Sequence, residues 1–144
     1  MVIAVDFDGT IVEHRYPAIG KEKLFAYETL KALQKKGHLL IMWTFRSGKE
    51  LTEAVDYCRK NGLEFYAINK SFPEEVYDDS ISRKVNADLF IDDRNIGGFI
   101  GWGEIWQMIN SDASGKEKAA YAARYEKAER RTFCGFMKYL FCKD

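Results

Sequence analysis

Four short apolar runs alternate along this chain with segments of helical periodicity. The runs cover residues 2–7, 39–43, 65–68 and 87–91. They are largely apolar rather than alternating apolar and polar, which is typical of strands buried on both faces of a parallel sheet. Strand–helix–strand units join such strands by right-handed crossovers. The sequence therefore predicts an α/β fold with three layers, α/β/α, around a central parallel sheet.

Amphipathic helices are predicted between the first three runs. In residues 21–36, apolar side chains at every third position form one stripe: Leu24, Tyr27, Leu30 and Leu33. Gly37 follows as the C-cap of this helix. Ser47 can cap a second helix that ends at Asn61 and Gly62, and a further helix is predicted over residues 104–110.

The length of the chain fits one domain, and its charge distribution sets a basic C-terminal segment apart from that domain. The chain has 144 residues, and its 22 Lys and Arg balance its 22 Asp and Glu. This neutrality argues against a dedicated nucleic-acid binder, which is usually basic. We divide the chain into a core at residues 1–111 and a basic helical tail at residues 112–144, whose aromatic end could pack against the core or form a homodimer.

Cysteine usage and hydropathy predict a cytoplasmic protein. The three cysteines are odd in number and widely spaced, so they form neither a disulfide framework nor a zinc pattern. No apolar run is long enough to span a bilayer, and the first charge comes too early for a signal peptide. We therefore expect no membrane partner.

A pair of carboxylates ends the first predicted strand. Asp6 and Asp8 lie two positions apart, so both side chains share one side of an extended chain while Phe7 faces the core. Two crowded carboxylates beside a phosphate dianion repel each other, and a divalent cation with oxygen ligands, such as Mg²⁺, would relieve this. Gly9 permits a sharp turn whose N–H groups could face an anion. A plain surface turn is the alternative, because Asp-Gly is a common turn pair.

Polar residues also lie near the ends of the second and fourth runs. Thr44 and Arg46 follow the second run and could bind phosphate oxygens, while Lys84 precedes the fourth run and could neutralise a phosphate. Asp92 and Asp93 end the fourth run and could form a second arm of a metal site. Each feature alone has an ordinary explanation, such as a solvated lysine or a helix N-cap. Ligands of parallel sheets bind at the carboxyl ends of the strands, so we expect these groups to meet there.

Over about residues 1–100, the order of these motifs resembles that of the haloacid dehalogenase (HAD) superfamily of phosphohydrolases. The motifs are Asp-x-Asp-Gly-Thr, Thr, Lys and Asp-Asp. The resemblance implies a Rossmann-like core and a Mg²⁺-dependent phosphomonoester hydrolase that works through an aspartyl-phosphate. Asp6 resembles the nucleophile and Asp8 the general acid and base. Thr44 and Lys84 match the phosphate-binding positions.

The same resemblance implies the metal ligands, which are Asp6, Asp8, Asp93 and Asp92. For Asp8 the implied ligand is its backbone carbonyl, and Asp92 either joins the site or orients Lys84. The gaps at residues 11–37 and 45–83 are used by core elements, so no large cap domain is expected. An open site would suit a small or a macromolecular phosphorylated substrate.

Three other functions stay open at this point. A non-catalytic phosphate-binding or regulatory domain could keep the same pocket. Residues 91–94 resemble the last motif of polynucleotide 3′-phosphatases, although the neutral chain makes a nucleic-acid partner unexpected. A receiver domain also uses Mg²⁺ and a phospho-aspartate, but its phosphorylated aspartate ends a later strand by itself, after an acidic pair that comes first. The Asp-x-Asp-Gly-Thr at the start of this chain and the acid pair after the fourth run fit that layout poorly. His14 and Tyr16 could approach a substrate, and Trp43 is expected to be a packing residue.

Overall fold

A parallel sheet of four strands organises the computed structural model, which describes residues 1–110. The strands are β1 (Val2–Val5), β2 (Leu39–Met42), β3 (Ala67–Ile68) and β4 (Leu89–Ile91), in the spatial order β3-β2-β1-β4. The helices are α1 (Ala26–Lys35), α2 (Gly48–Lys60) and α3 (Trp102–Asn110). The predicted α/β fold with a central parallel sheet is confirmed, and residues 1–110 contain no large cap domain.

The central position of β1 and β2 in the sheet explains why their sequences are apolar throughout. β1 pairs with β2 on one side and with β4 on the other. Ile3, Val5, Leu40 and Ile41 are fully buried, because both faces of these strands are covered. Burial of apolar surface is the dominant favourable contribution to folding. The centre of the sheet is therefore also the centre of the hydrophobic core.

Helix α1 begins five residues later than the periodicity predicts. Residues 21–23 instead pair with residues 11–13, through hydrogen bonds from the Glu13 N–H to the Lys21 carbonyl and from the Lys23 N–H to the Ile11 carbonyl. Leu24 is consequently 77% exposed and does not join the buried stripe. The rest of the stripe is buried as predicted, at Tyr27, Leu30 and Leu33. The pairing of residues 21–23 with residues 11–13 has overridden their local preference for a helix.

The predicted end of α1 is confirmed. Gly37 has a left-handed φ of 84°. The His38 N–H donates to the Leu33 carbonyl at 3.2 Å, and the Gly37 N–H donates to the Gln34 carbonyl at 2.9 Å. These two bonds are the Schellman arrangement, which satisfies the last carbonyls of a helix. Ser47 is the N-cap residue of α2 as predicted, but its side chain makes no capping hydrogen bond.

Helices α1 and α2 contact each other beside the sheet. The Tyr27 hydroxyl donates to Cys58 Sγ at 3.7 Å, and the Tyr57 ring contacts both Tyr27 and Phe7. Phe7 is fully buried, so the residue between Asp6 and Asp8 faces the core as predicted. Burial raises the pKa of the Cys58 thiol to about 11, which favours a packing role for this cysteine.

Residues 69–88 connect β3 to β4 without a helix or strand. No helix within residues 1–110 is long and apolar enough to cross a membrane. The predicted tail at residues 112–144, its aromatic end, its suggested homodimer contact and two of the three cysteines lie outside the described residues.

Candidate active site

The residues that follow all four strands meet in one cleft at the carboxyl edge of the sheet. Hydrogen bonds continue the pairing of neighbouring strands by one residue. The Asp6 N–H, after β1, donates to the Ile91 carbonyl of β4, and the Trp43 N–H, after β2, donates to the Val5 carbonyl of β1. The Asn69 N–H, after β3, donates to the Met42 carbonyl of β2. The cleft has a volume of about 660 Å³. This size is typical of a small-molecule site. Its lining includes Asp6, Asp8, Thr44, Asn69, Asp92 and Arg94.

Three carboxylates converge on one side of this cleft. Asp6, Asp92 and Asp93 each place an oxygen within 4.8 Å of the other two. Burial and the negative charges of Asp92 and Asp93 raise the pKa of Asp6 to about 7, although hydrogen bonds from the Phe7 N–H and the Thr10 hydroxyl oppose the rise. Thr10 Oγ1 lies 3.2 Å from Asp6 Oδ2. Such crowding is unfavourable unless a cation or a proton compensates it.

Asp93 gives this cluster the character of a cation site. Its Oδ1 atom is buried and has no hydrogen-bond partner among the described residues. A buried, unsatisfied carboxylate oxygen is costly, and native proteins rarely leave one without a ligand. A set of three carboxylates suits a hard divalent cation such as Mg²⁺. The residues present therefore fit the predicted metal.

Gly9 makes the approach of Asp93 possible. A Cβ atom on Gly9 would overlap Oδ2 of Asp93, and the φ of Gly9 is 90°, which side chains other than glycine rarely adopt. The N–H of Gly9 donates to the Val12 carbonyl at 2.7 Å. The predicted role of this N–H in binding phosphate is therefore corrected, because the group closes the turn after β1.

We expect Gly9→Ala to weaken divalent-cation binding by about tenfold or more, since displacement of a metal ligand has effects of this size. The matched control is Gly37→Ala. Gly37 also has a positive φ, but no atom lies within 4 Å of its added Cβ. Calorimetric titration of both variants with Mg²⁺ measures the effect. Equal affinities in the two variants would contradict the assignment of Asp93 to a cation site.

Asp8 lies beside the carboxylate cluster and is held by Arg46. The Arg46 Nε atom lies 2.6 Å from Asp8 Oδ2, and Arg46 Nη2 lies 2.7 Å from Asp8 Oδ1. Arg46 is 1% exposed, and Asp8 is buried. The hydrogen bonds to Asp8 raise the pKa of Arg46 above its usual range. This two-point ion pair fixes the orientation of the Asp8 carboxylate.

The guanidinium of Arg46 also anchors the loop between β1 and α1. Its Nη1 donates to the Pro17 carbonyl at 2.9 Å, and its Nη2 donates to the Ala18 carbonyl at 2.8 Å. Its carbon lies 5.1 Å from the centroid of Phe7 and 5.3 Å from that of Tyr16. The sequence suggests Arg46 as a phosphate ligand. The structure instead directs four of its N–H groups to Asp8 and this loop, because a buried guanidinium needs partners.

Thr44 lies at the cleft as expected, and Asn69 fixes it there. The Thr44 N–H donates to Asn69 Oδ1 at 2.8 Å, and Asn69 Nδ2 donates to the Arg46 carbonyl at 3.3 Å. Sequence reasoning missed Asn69, Thr10 and the cleft positions of Trp43 and Phe45. Asn69 follows β3 directly, so the rule of polar residues at strand ends, applied to the third strand, would have found it.

Lys84 is not among the residues that line the cleft. It is exposed, and its Nζ atom lies 5.1 Å from the centroid of the Phe90 ring. An ammonium group is attracted to the face of an aromatic ring, which explains this position. The predicted convergence of Lys84 with Asp6, Asp8 and Asp93 stays a prediction. Asp92 lies with Asp6 and Asp93.

Comparison with known proteins identifies a relative. No protein-family model and no curated protein matches the chain. Among solved structures, a conserved protein from Bacteroides thetaiotaomicron is 59% identical to it, with a TM-score of 0.74. The match covers 81% of this chain and 94% of the other. Because two chains this similar over most of their lengths share their descent and fold, the protein belongs to the family of this conserved Bacteroides thetaiotaomicron protein.

Proposed function

We propose that the cleft is the active site of a Mg²⁺-dependent phosphomonoester hydrolase, in which Asp6 is the nucleophile. The carboxylate cluster of Asp6, Asp92 and Asp93, with its unpaired buried oxygen, is the observation that carries this proposal. Asp8 and Thr44 line the same cleft. The resemblance of the motif order to the HAD superfamily supports the assignment of the roles.

In this proposal Asp6, Asp92 and Asp93 would hold the cation. Bound Mg²⁺ supplies positive charge that offsets the repulsion between these carboxylates and the phosphate dianion. Thr44 offers a hydroxyl to a phosphate oxygen. Arg94 is exposed and lines the cleft beside Asp92. We therefore propose that Arg94 shares the phosphate-neutralising role that the sequence suggests for Lys84.

The proposed reaction has two displacements at phosphorus. An oxygen of Asp6 forms a bond to phosphorus, the bond to the alcohol oxygen breaks, and Asp8, which must first have taken up a proton, donates that proton to the alcohol oxygen. Asp8 then takes a proton from water, whose oxygen bonds to phosphorus and releases phosphate from Asp6. Arg46 is a positioning residue in this scheme, because it touches Asp8 rather than the substrate.

Removal of the metal tests the proposal. We expect EDTA to abolish phosphate release from an aryl phosphate and Mg²⁺ to restore it. A cation present at 100 times its Kd should stabilise the fold by about 2.7 kcal/mol, which thermal unfolding with and without Mg²⁺ measures. Asp93→Asn should lose this stabilisation, whereas Asp56→Asn, an exposed residue of α2, should keep it. Full activity in EDTA would contradict the proposal.

A phosphate-binding domain without turnover is the second candidate. It is favoured by the engagement of both Asp8 oxygens with Arg46. The two candidates differ in one measurement, which is phosphate release from a broad panel of phosphomonoesters. Binding of inorganic phosphate without any release would favour the second.

We also propose a cytoplasmic location, in line with the cysteine pattern. Within residues 1–110, Cys58 is a buried free thiol that needs no oxidising compartment. Cell fractionation with an antibody against the protein tests this location.

A further inference from the structure

An exposed aromatic side chain lines the cleft next to the predicted phosphate ligand. Phe45 directly follows Thr44, and it is 90% exposed although it lines the same cleft as Asp6. Phenylalanine is among the residues most often buried in folded proteins. An exposed phenyl group at the edge of a cleft therefore marks a surface that a ligand could cover.

The backbone on both sides of Phe45 is held in place. The Thr44 N–H donates to Asn69 Oδ1, and the Arg46 carbonyl accepts from Asn69 Nδ2. The Arg46 N–H donates to Thr44 Oγ1 at 3.3 Å. Arg46 itself is buried and bound to Asp8. Phe45 thus protrudes from a fixed backbone, and a ligand that contacts its ring need not order a loosely tethered loop.

A second ring lines the cleft from the loop between β1 and α1. Tyr16 is 48% exposed, and its ring lies 5.3 Å from the guanidinium carbon of Arg46. Arg46 also binds the carbonyls of Pro17 and Ala18, which follow Tyr16 in the chain. Both aromatic residues are therefore anchored through the same buried arginine.

We propose that Phe45 and Tyr16 bind the leaving group of the substrate, and that this group carries a planar aromatic ring of nucleobase size. The inference rests on the proposed function, because the phosphate on Asp6 places the leaving group in the cleft that these rings line. The cleft volume of about 660 Å³ accommodates a molecule of nucleotide size. Stacking of one base on an aromatic side chain changes affinity by about 5- to 150-fold.

Two phosphomonoesters that differ only by a base test this inference. Adenosine 5′-monophosphate and ribose 5-phosphate share the phosphate and the sugar. We expect kcat/KM to be about tenfold or more higher for the nucleotide, and Phe45→Ala to remove most of the difference. Leu24→Ala is the matched control, because Leu24 is an exposed apolar residue that does not line the cleft. This control should keep the preference.

Binding separates this inference from the proposed function. The dissociation constants of both compounds are measured by calorimetry on Asp6→Asn, alone and combined with Phe45→Ala. Turnover that depends on Asp6 but shows no preference for the base would overturn the aromatic subsite and leave the hydrolase standing. Tighter binding of the nucleotide that is lost in Phe45→Ala, without turnover by the wild type, would support the subsite and overturn the hydrolase. Equal binding of both compounds would overturn the subsite.

Discussion

Asp6→Asn is expected to lower phosphate release by about 10³-fold or more while the protein stays folded. The amide cannot take the place of the carboxylate as a nucleophile, yet its volume is nearly the same. Asp6 faces Asp92 and Asp93, so removal of its charge also relieves repulsion within the cluster. We therefore expect the free energy of unfolding without metal to be unchanged or higher.

Phosphate release from an aryl phosphate in excess Mg²⁺ measures the first effect, and urea unfolding of the same samples measures the second. Asp56→Asn is the matched control. Asp56 is an exposed aspartate of α2 that pairs with Arg59 at 3.0 Å, and its loss should change neither quantity appreciably. If Asp6→Asn retained more than a tenth of the wild-type rate, Asp6 would not be the nucleophile.

Arg46→Met is expected to destabilise the fold by about 3–5 kcal/mol, which is typical when one partner of a buried ion pair is removed. The variant leaves Asp8 buried without its partner. It also leaves the carbonyls of Pro17 and Ala18 without the donors that Arg46 provides. The loop that carries Tyr16 should loosen as a consequence.

Urea unfolding with Arg59→Met as the control tests this expectation. Arg59 is more than half exposed, and exposed ion pairs contribute about 0–1 kcal/mol. The double variant Arg46→Met with Asp8→Leu should recover part of the loss, since apolar replacements remove the unpaired charge. A cost below about 1 kcal/mol for Arg46→Met would mean that the pair with Asp8 does not support the fold.

The meeting of Asp6, Asp92 and Asp93 could be anticipated because parallel strands bring their carboxyl ends to one edge. Each of these residues follows a buried run, so its place along the strand also defines its place in the sheet. Thr44 and Asn69 obey the same rule. Lys84 does not, since it precedes its strand and comes from an irregular connection over residues 69–88. No periodicity predicts the course of such a connection.

The pairing partner of Arg46 was equally hidden from sequence reasoning. Arg46 and Asp8 are 38 positions apart, and either one could have faced the phosphate. Likewise, Leu24 satisfied the helical spacing, but the pairing of residues 21–23 with residues 11–13 placed it outside the helix.

The sequence alone determines the order of strands and helices, the buried runs and the acidic strand ends. They depend on the chemistry of neighbouring residues and on backbone geometry, which repeats every two residues in a strand and every 3.6 in a helix. The partner of Arg46 and the exposure of Phe45 in the cleft depend on groups far apart in sequence. These features arise from folding, because burial and unpaired polar groups favour one spatial arrangement among many that the local patterns allow.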